Sequence, residues 1–165
     1  GETYSLRYCG MHTVDSCRIE KAYRHFGHDI TDEDHVIDAG LGFAVKLQKT
    51  TSKFGKFIGY DAVEAKKTSG YEKRVMQFLL SNPELMLYHN EPILKNGDIV
   101  GYLTSGTYSH TLEGAVGLGY VTCLPNESHE DILNAEYSIE VEGVVEKAKA
   151  SLKPMYDPLN KKIRN

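Results

Sequence analysis

The sequence lacks the features that mark membrane-spanning and disulfide-stabilised proteins. No apolar run approaches the ~20 residues that a membrane helix requires, and no secretory signal is visible in these residues. The cysteines are Cys9, Cys17 and Cys123, an odd number without the spacing of a metal site. We therefore expect three reduced thiols and a location in the cytoplasm or the mitochondrial matrix.

The sequence also lacks an excess of positive charge. Its 19 Lys and Arg residues against 23 Asp and Glu residues give a net charge of -4. This balance predicts no nucleic-acid partner, because phosphate binding needs a concentrated basic face. The short cluster of Lys161, Lys162 and Arg164 is interpreted as a solvated tail.

Signatures of nucleotide binding and of nucleophilic catalysis are missing as well. Residues 40–42 carry two glycines but no third one before a helix, so we expect neither FAD nor NAD on this chain. Ser105 and Ser109 flank Gly106 without the strand–turn–helix setting of a hydrolase nucleophile.

Histidine is plentiful, with seven residues, and the best local cluster is His25 and His28 next to Asp29. The spacing would place two imidazoles on adjacent turns of a helix, but Gly27 should break the helix between them. No second ligand pair occurs at a recognisable interval, so the sequence predicts no metal site.

The length of 165 residues suits one domain, or one small domain with part of another. The composition is globular, with 41% hydrophobic and 25% charged residues. The chain starts at Gly1 without an initiator methionine, which suggests a processed piece or a fragment of a longer protein.

Hydrophobic periodicity predicts two helices and one strand in the first 70 residues. Ile19, Ala22, Tyr23 and Phe26 recur at helical spacing, so we predict a helix over residues 11–26 that stops at Gly27. The acidic stretch that follows is predicted as a loop, residues 42–47 as a strand, and residues 60–69 as a helix ended by a glycine.

The remaining sequence consists of short β-like runs separated by turn signals. The predicted strands cover residues 74–80, 91–95, 99–104, 115–122, 137–141 and 144–149. Asn96-Gly97 is the strongest hairpin signal, because both residues tolerate left-handed backbone. Strands at this spacing predict a small antiparallel barrel or sandwich. We place a domain boundary near Gly70, with a barrel over residues 71–152 and a tail over 153–165.

Five short motifs occur in order along the chain. They are Arg18-Ile19-Glu20 with Gly27-His28-Asp29, Ala39-Gly40-Leu41-Gly42-Phe43, Phe57-Ile58-Gly59, Thr104-Ser105-Gly106, and Gly119-Tyr120-Val121. Together they resemble the C-terminal half of the glycine-cleavage T-protein (aminomethyltransferase) family. The extension over residues 21–29 is most similar to members fused to a flavin domain, the dimethylglycine and sarcosine dehydrogenases.

The resemblance implies an α+β chain: the end of a T-protein folate-binding domain (residues 1–70), then a Greek-key-like antiparallel β-barrel. It also implies tetrahydrofolate as cofactor and an amine donor of one-carbon units. By the same resemblance Arg18 contacts the folate, which suits a planar guanidinium, and the rings of Phe26 and Phe43 lie near it. The alternatives are that Arg18 is a solvated helix arginine and that Phe26 and Phe43 are ordinary core residues. His110 departs from the family, which more often has proline there.

The aspartate that the family places near the reactive folate nitrogens comes from its N-terminal half, and no residue here matches that motif. Asp15, Asp29 and Asp38 do not occupy it. We therefore expect no catalytic residue in this chain and no turnover by the chain alone. FAD is expected only if a flavin domain precedes it.

The expected partners are folate, a small amine, and the missing N-terminal half or flavin domain. The predicted helix over 11–26 or the predicted strand over 42–47 is expected to contact a neighbouring chain or domain. These surfaces also allow self-association. Two other functions stay open: a folate-binding relative without transferase activity, such as an iron–sulfur maintenance factor, and a structural cap.

Overall fold

The structure is a computed structural model that describes residues 2–49, 55–124 and 127–164. Three α-helices and six β-strands make up its regular structure. The helices are α1 (Met11–Glu20), α2 (Tyr60–Ser69) and α3 (His129–Asn134). The strands are β1 (Lys73–Leu80), β2 (Pro92–Lys95), β3 (Asp98–Ser109), β4 (Gly114–Thr122), β5 (Tyr137–Val141) and β6 (Val144–Ser151).

The six strands form a closed antiparallel barrel in the order β1-β4-β3-β2-β5-β6. Strands β2, β3 and β4 follow one another as neighbours, and β1 lies beside β4, which is a Greek-key arrangement. The predicted fold class is therefore confirmed. Because the barrel is closed, its sheet has no unpaired edge. The barrel surrounds a core of fully buried side chains. Among these are Phe78, Leu87, Ile93, Leu103, Ile132 and Ile139.

The predicted hairpin at Asn96-Gly97 is confirmed, because both residues adopt positive φ values, 54° and 94°. Each of the six strands predicted after Gly70 is also present. Strand β3 continues to Ser109, so the predicted end of this strand at Thr104 is wrong. Its polar residues are paired with β4 through a register shift between Leu103 and Ser105, which makes Thr104 the extra residue of a β-bulge.

Helix α3 is not predicted from the sequence, because its six residues are too few to show a helical period. Its start is fixed by a capping box, in which Ser128 accepts a hydrogen bond from the Asp131 amide and the Asp131 carboxylate accepts one from the Ser128 amide. The predicted helix over 60–69 is confirmed as α2, and Gly70 ends it with a φ of 87°.

Helix α1 ends at Glu20, so its predicted continuation to Phe26 is wrong. Ala22 adopts a left-handed φ of 53°, and the Tyr23 amide donates to the Arg18 carbonyl at 2.7 Å. This is the hydrogen-bond pattern of a Schellman motif, which terminates a helix. The chain then turns away, and α1 packs through Ile19 against Val116 and Leu118 of β4.

The strand predicted over residues 42–47 is also wrong. The segment forms two 3₁₀ turns, Gly42–Ala44 and Leu47–Lys49. Local hydrogen bonds hold the first turn, in which the Ala44 and Val45 amides donate to the Leu41 and Gly42 carbonyls. The division into residues 1–70, 71–152 and 153–165 remains a prediction. No helix among the described residues is long and apolar enough to cross a membrane.

Candidate functional site

Arg18 lies in the last turn of α1, and its guanidinium joins three parts of the fold. Nε donates to Asp15 at 2.7 Å, Nη1 to Asp29 at 2.6 Å, and Nη2 to the Ser105 hydroxyl at 2.9 Å. The side chain is 13% exposed. Arg18 is therefore not a solvated helix arginine, which rules out that alternative.

The main partner of Arg18 is Asp29, which is completely buried. Its carboxylate also accepts hydrogen bonds from the Thr104 hydroxyl at 2.6 Å and from the His25 amide at 2.8 Å. The bulge in β3 places the Thr104 hydroxyl within reach of Asp29. Asp29 thus connects helix α1, the 25–30 turn and the barrel wall.

A large open hollow of about 1040 Å³, here called the Arg18 hollow, lies between α1 and β3. Its lining includes Arg18, Ser105 and apolar side chains such as Met11 and Leu87. Five of the seven histidines also line it, namely His12, His25, His28, His89 and His110.

The histidines of the Arg18 hollow do not form a metal centre. The rings of His25 and His28 are 4.6 Å apart between centroids, and His110 packs edge-on against Tyr108. In the described ranges no three His, Cys, Asp or Glu residues lie close enough together to hold a metal ion. The hollow instead combines polar imidazoles with apolar walls, which is the mixed lining of a small-molecule site.

The structure does not bring Phe26 and Phe43 together with Arg18. Phe26 is 69% exposed beside the 25–30 turn, and Phe43 is 81% exposed. Both rings are therefore outside the core, so the core alternative is wrong for each. Phe43 lines a second hollow of about 450 Å³, here called the Phe43 hollow, whose other walls include Ile37, Val63 and Tyr71.

A second buried carboxylate, Glu20, connects α1 to the end of β3. Glu20 is 6% exposed and accepts hydrogen bonds from the Ser109 hydroxyl at 2.8 Å and from the Thr111 amide and hydroxyl at 3.1 and 3.0 Å. Ser109 is thus a structural residue here. The roles of Glu20, Asp29 and Thr104 are not predicted from the sequence. The one available signal is the acidic residue just after the Gly27 turn.

Comparison with known families accounts for both parts of the chain. The family described as "Glycine cleavage T-protein C-terminal barrel domain" matches residues 73–157, and this range contains most of the barrel, from Lys73 to Ser151. The family described as "GCVT N-terminal domain" matches residues 1–49, which contain Arg18 and Asp29. The chain belongs to the glycine cleavage T-protein family.

Relatives of this T-protein chain include enzymes of amine oxidation and a regulatory protein. It is 35% identical to 4-methylaminobutanoate oxidase (formaldehyde-forming) of Paenarthrobacter nicotinovorans and 30% identical to mitochondrial sarcosine dehydrogenase of Mus musculus, in each case over 99% of its length. It is 36% identical over 94% of its length to the mitochondrial pyruvate dehydrogenase phosphatase regulatory subunit of Mus musculus. The chain spans 19%, 18% and 18% of these proteins.

The fold matches that of a solved T-protein. The crystal structure of glycine cleavage system aminomethyltransferase T from Bartonella henselae aligns with 92% of this chain at a TM-score of 0.76. The sequence identity is 23%, and the match covers 40% of that protein. The likeness supports the T-protein fold for nearly the whole chain, including the segment before the barrel.

Proposed function

We propose that this chain is the C-terminal portion of a tetrahydrofolate-dependent one-carbon transfer enzyme that acts on an N-methylated or aminomethyl substrate. The observation that carries the proposal is the match over 99% of the chain to two enzymes named for N-methylated amines, the oxidase and sarcosine dehydrogenase. In such a protein a flavin domain would oxidise the amine, and the T-protein portion would hold the folate. The location would be the mitochondrial matrix or the cytoplasm.

The residues of the Arg18 hollow fit one end of a folate. A guanidinium has five N–H donors, and those of Arg18 serve Asp15, Asp29, Ser105 and, at 3.4 Å, the Tyr23 carbonyl. Among the described residues this leaves one N–H of Nη2 uncommitted, and Arg18 lines the hollow. That donor can bind a carboxylate or the polar edge of a heterocycle.

The ion pair with Asp29 gives Arg18 its role in this proposal. A free arginine side chain loses ~2 kcal/mol of rotamer entropy when a ligand fixes it. Arg18 is already fixed by Asp15, Asp29 and Ser105, so binding costs less. Phe26 and Phe43 do not line the Arg18 hollow, so we propose them as aromatic contacts to parts of the folate that extend beyond it, since both rings are exposed and able to stack.

Bound tetrahydrofolate would accept the one-carbon unit on its nitrogens. The chain's own residues would provide one wall of the site, orient the ligand through Arg18 and exclude water with Met11 and Leu87. The acid that catalysis requires would come from the N-terminal half of the family fold, so we assign no catalytic residue to this chain.

One specific observation favours a second candidate, a non-catalytic role. A relative of similar identity is named a regulatory subunit rather than an enzyme. In that case the barrel would cap the fold or dock a partner domain, and the Arg18 hollow would bind folate without turnover or bind no folate at all.

The test is calorimetric titration of tetrahydrofolate into the protein that carries the complete T-protein region. Arg18→Ala should weaken binding by ~1.5–3 kcal/mol, the usual contribution of a hydrogen bond from a charged group. Thr104→Val is the matched control, because it removes a partner of Asp29 and leaves the guanidinium in place.

Four outcomes are distinguishable when turnover of N-methylated amines is measured beside the titration. Loss of tetrahydrofolate affinity in Arg18→Ala, with affinity retained in Thr104→Val, supports direct contact between Arg18 and the folate. An equal loss of affinity in both variants would mean that Arg18 only positions its neighbours. Tetrahydrofolate binding without turnover of any N-methylated amine would favour the non-catalytic candidate, and no folate binding by the wild type would refute the folate proposal.

A further inference from the structure

The last turn of α1 is held to the barrel by Gln77, a fully buried residue of β1. Its Nε2 group donates hydrogen bonds to the Ile19 carbonyl at 2.6 Å and to the Glu20 carbonyl at 3.1 Å. Carbonyl groups at the end of a helix lack their usual partners within it, and here one side-chain amide bonds to two of them. These two carbonyls belong to the residues that directly follow Arg18.

The orientation of the Gln77 amide is fixed by the C-terminal segment, here defined as residues 153–162. The Met155 backbone amide donates to Oε1 of Gln77 at 2.7 Å. A reversed side-chain amide would place its oxygen against two carbonyl oxygens and its amino group against a backbone N–H, so one orientation alone satisfies all partners. Gln77 therefore connects the C-terminal segment to the end of α1.

Lys21, at the end of α1, makes a second contact with the C-terminal segment. Lys21 is buried, and its ammonium group donates to the Asp157 carbonyl at 2.5 Å and lies 3.7 Å from the Asp157 carboxylate. That carboxylate also accepts hydrogen bonds from the Lys161 and Lys162 amides at 2.8 and 3.2 Å. A buried ammonium needs such partners, because an isolated charge is costly to remove from water. The docked segment thus satisfies a charge that α1 buries.

These contacts fix the backbone from which Arg18 extends. The guanidinium is held at its tip by Asp29 and Ser105, but the base of the side chain is the backbone of α1. A binding group needs its position fixed to within about 0.5 Å by the residues that support it. For Arg18 this support comes from Gln77 and, at the end of the helix, from Lys21.

We propose that Gln77 and Lys21 are positioning residues through which the docked C-terminal segment orients Arg18 for its ligand. Neither residue lines the Arg18 hollow, so each acts through α1 rather than by contact with the ligand. Because coupling between two sites is reciprocal, a ligand of Arg18 should stabilise the docked segment by the same factor. The identity of that ligand rests on the proposed folate function, whereas the order imposed on Arg18 does not.

The first test follows the Arg18 side chain by NMR in the ¹⁵N-labelled 165-residue chain. Its Nε–H group donates to Asp15 and should give a signal that is identified by its absence from Arg18→Lys. Gln77→Glu keeps an acceptor for Met155 but removes the amino group. At about pH 8 the new carboxylate would face two carbonyl oxygens. At about pH 5.5 a protonated carboxyl can donate to one of them, because burial raises the pKa of a carboxyl group.

Relative to wild type at the same pH, the Arg18 signal of Gln77→Glu should be broadened at the higher pH and restored at the lower one. Signals of the barrel core, such as the Leu103 and Ile139 amides, should stay unchanged. Lys21→Met should broaden the Arg18 signal at both pH values, because it releases Asp157 without adding a carboxyl group. Gln48→Glu, at an exposed position of the Leu47–Lys49 turn, is the matched control and should leave the signal unchanged.

The second test titrates tetrahydrofolate into the protein that carries the complete T-protein region. At about pH 8, Gln77→Glu should raise the dissociation constant about 5-fold or more over wild type, the lower end of the usual range for coupled sites. The ratio should approach one at about pH 5.5. In the wild type, bound tetrahydrofolate should slow hydrogen exchange of the Met155 amide.

Several results would overturn the proposal. An unchanged Arg18 signal in Gln77→Glu or in Lys21→Met would do so, and if one variant fails to fold, the other decides. Equal weakening of the barrel-core and Arg18 signals would show a structural role only. Bound tetrahydrofolate without slower exchange at Met155 would contradict the coupling in the wild type itself. Wild-type protein that binds no tetrahydrofolate would refute the proposed function, while the Arg18 signal would still decide whether Gln77 and Lys21 position this side chain.

Discussion

The ion pair between Arg18 and Asp29 gives the sharpest prediction about stability. Asp29 is fully buried and accepts hydrogen bonds from Arg18, from Thr104 and from the His25 amide. Asp29→Ala would leave all three donors without that acceptor, and the nearly buried guanidinium would keep only the half-exposed Asp15 as a charged partner. Breaking a buried pair by removal of one partner typically costs ~3–5 kcal/mol, so we expect the free energy of unfolding to fall by about that amount.

The assay is urea unfolding followed by far-UV circular dichroism, because the chain contains no tryptophan. The matched control is Asp61→Ala, which removes an exposed pair with Lys56 in which the side chains are 80% and 55% exposed. That change should cost a small fraction of the Asp29→Ala effect, because solvent screens exposed pairs. Equal losses for the two variants would refute the claim that Asp29 holds helix α1 to the barrel.

A double-mutant cycle separates the ion pair from the loss of packing. Arg18→Ala alone should be strongly destabilising, since it leaves a buried carboxylate. Added to Asp29→Ala, the same change should cost much less, because the unpaired charge has gone. Strictly additive effects would show that the two side chains do not interact.

Two further predictions concern titration and thiol reactivity. Burial raises the pKa of Asp34, but the hydrogen bonds from Lys73 and Thr31 and the charge of Lys73 lower it more. The Asp34 carboxylate therefore stabilises the fold above its unfolded pKa of ~3.9. This contribution is lost as the pH falls through the lower pKa of the folded state. Urea titrations from pH 6 to pH 3 should therefore show that wild type and Asp34→Asn converge in stability below about pH 4; a constant difference would contradict this reasoning. Burial, followed by the charge of Glu127, raises the pKa of the Cys123 thiol, whereas Cys9 and Cys17 are exposed. A thiol-specific chromophore should label two cysteines quickly and the third only after unfolding, and three equal rates would show that Cys123 is accessible.

The local sequence was sufficient to predict most of the barrel. Each of the six β-like runs predicted after Gly70 became a strand. Asn96-Gly97 became a hairpin turn, because a two-residue turn with positive φ is encoded by the two residues themselves. Helix α2 and its end at Gly70 follow from helical composition and a glycine stop. The family resemblance likewise rests on short motifs that can be read without a structure.

The tertiary structure decided where α1 ends and what its residues contact. Helical periodicity continues through Tyr23 and Phe26, yet Ala22 turns left-handed, because Ile19 and Ala22 pack on the barrel while Tyr23 and Phe26 remain outside it. A periodic pattern shows which residues share a face, but it cannot show whether another element covers that face.

The sites depend on contacts between residues that are distant in sequence, which local patterns do not encode. Arg18 meets Asp29 across 11 positions and Ser105 across 87. The sequence by itself determined the barrel strands and suggested Arg18 as a functional residue. Chain folding alone decided that Arg18 would be fixed by a buried carboxylate.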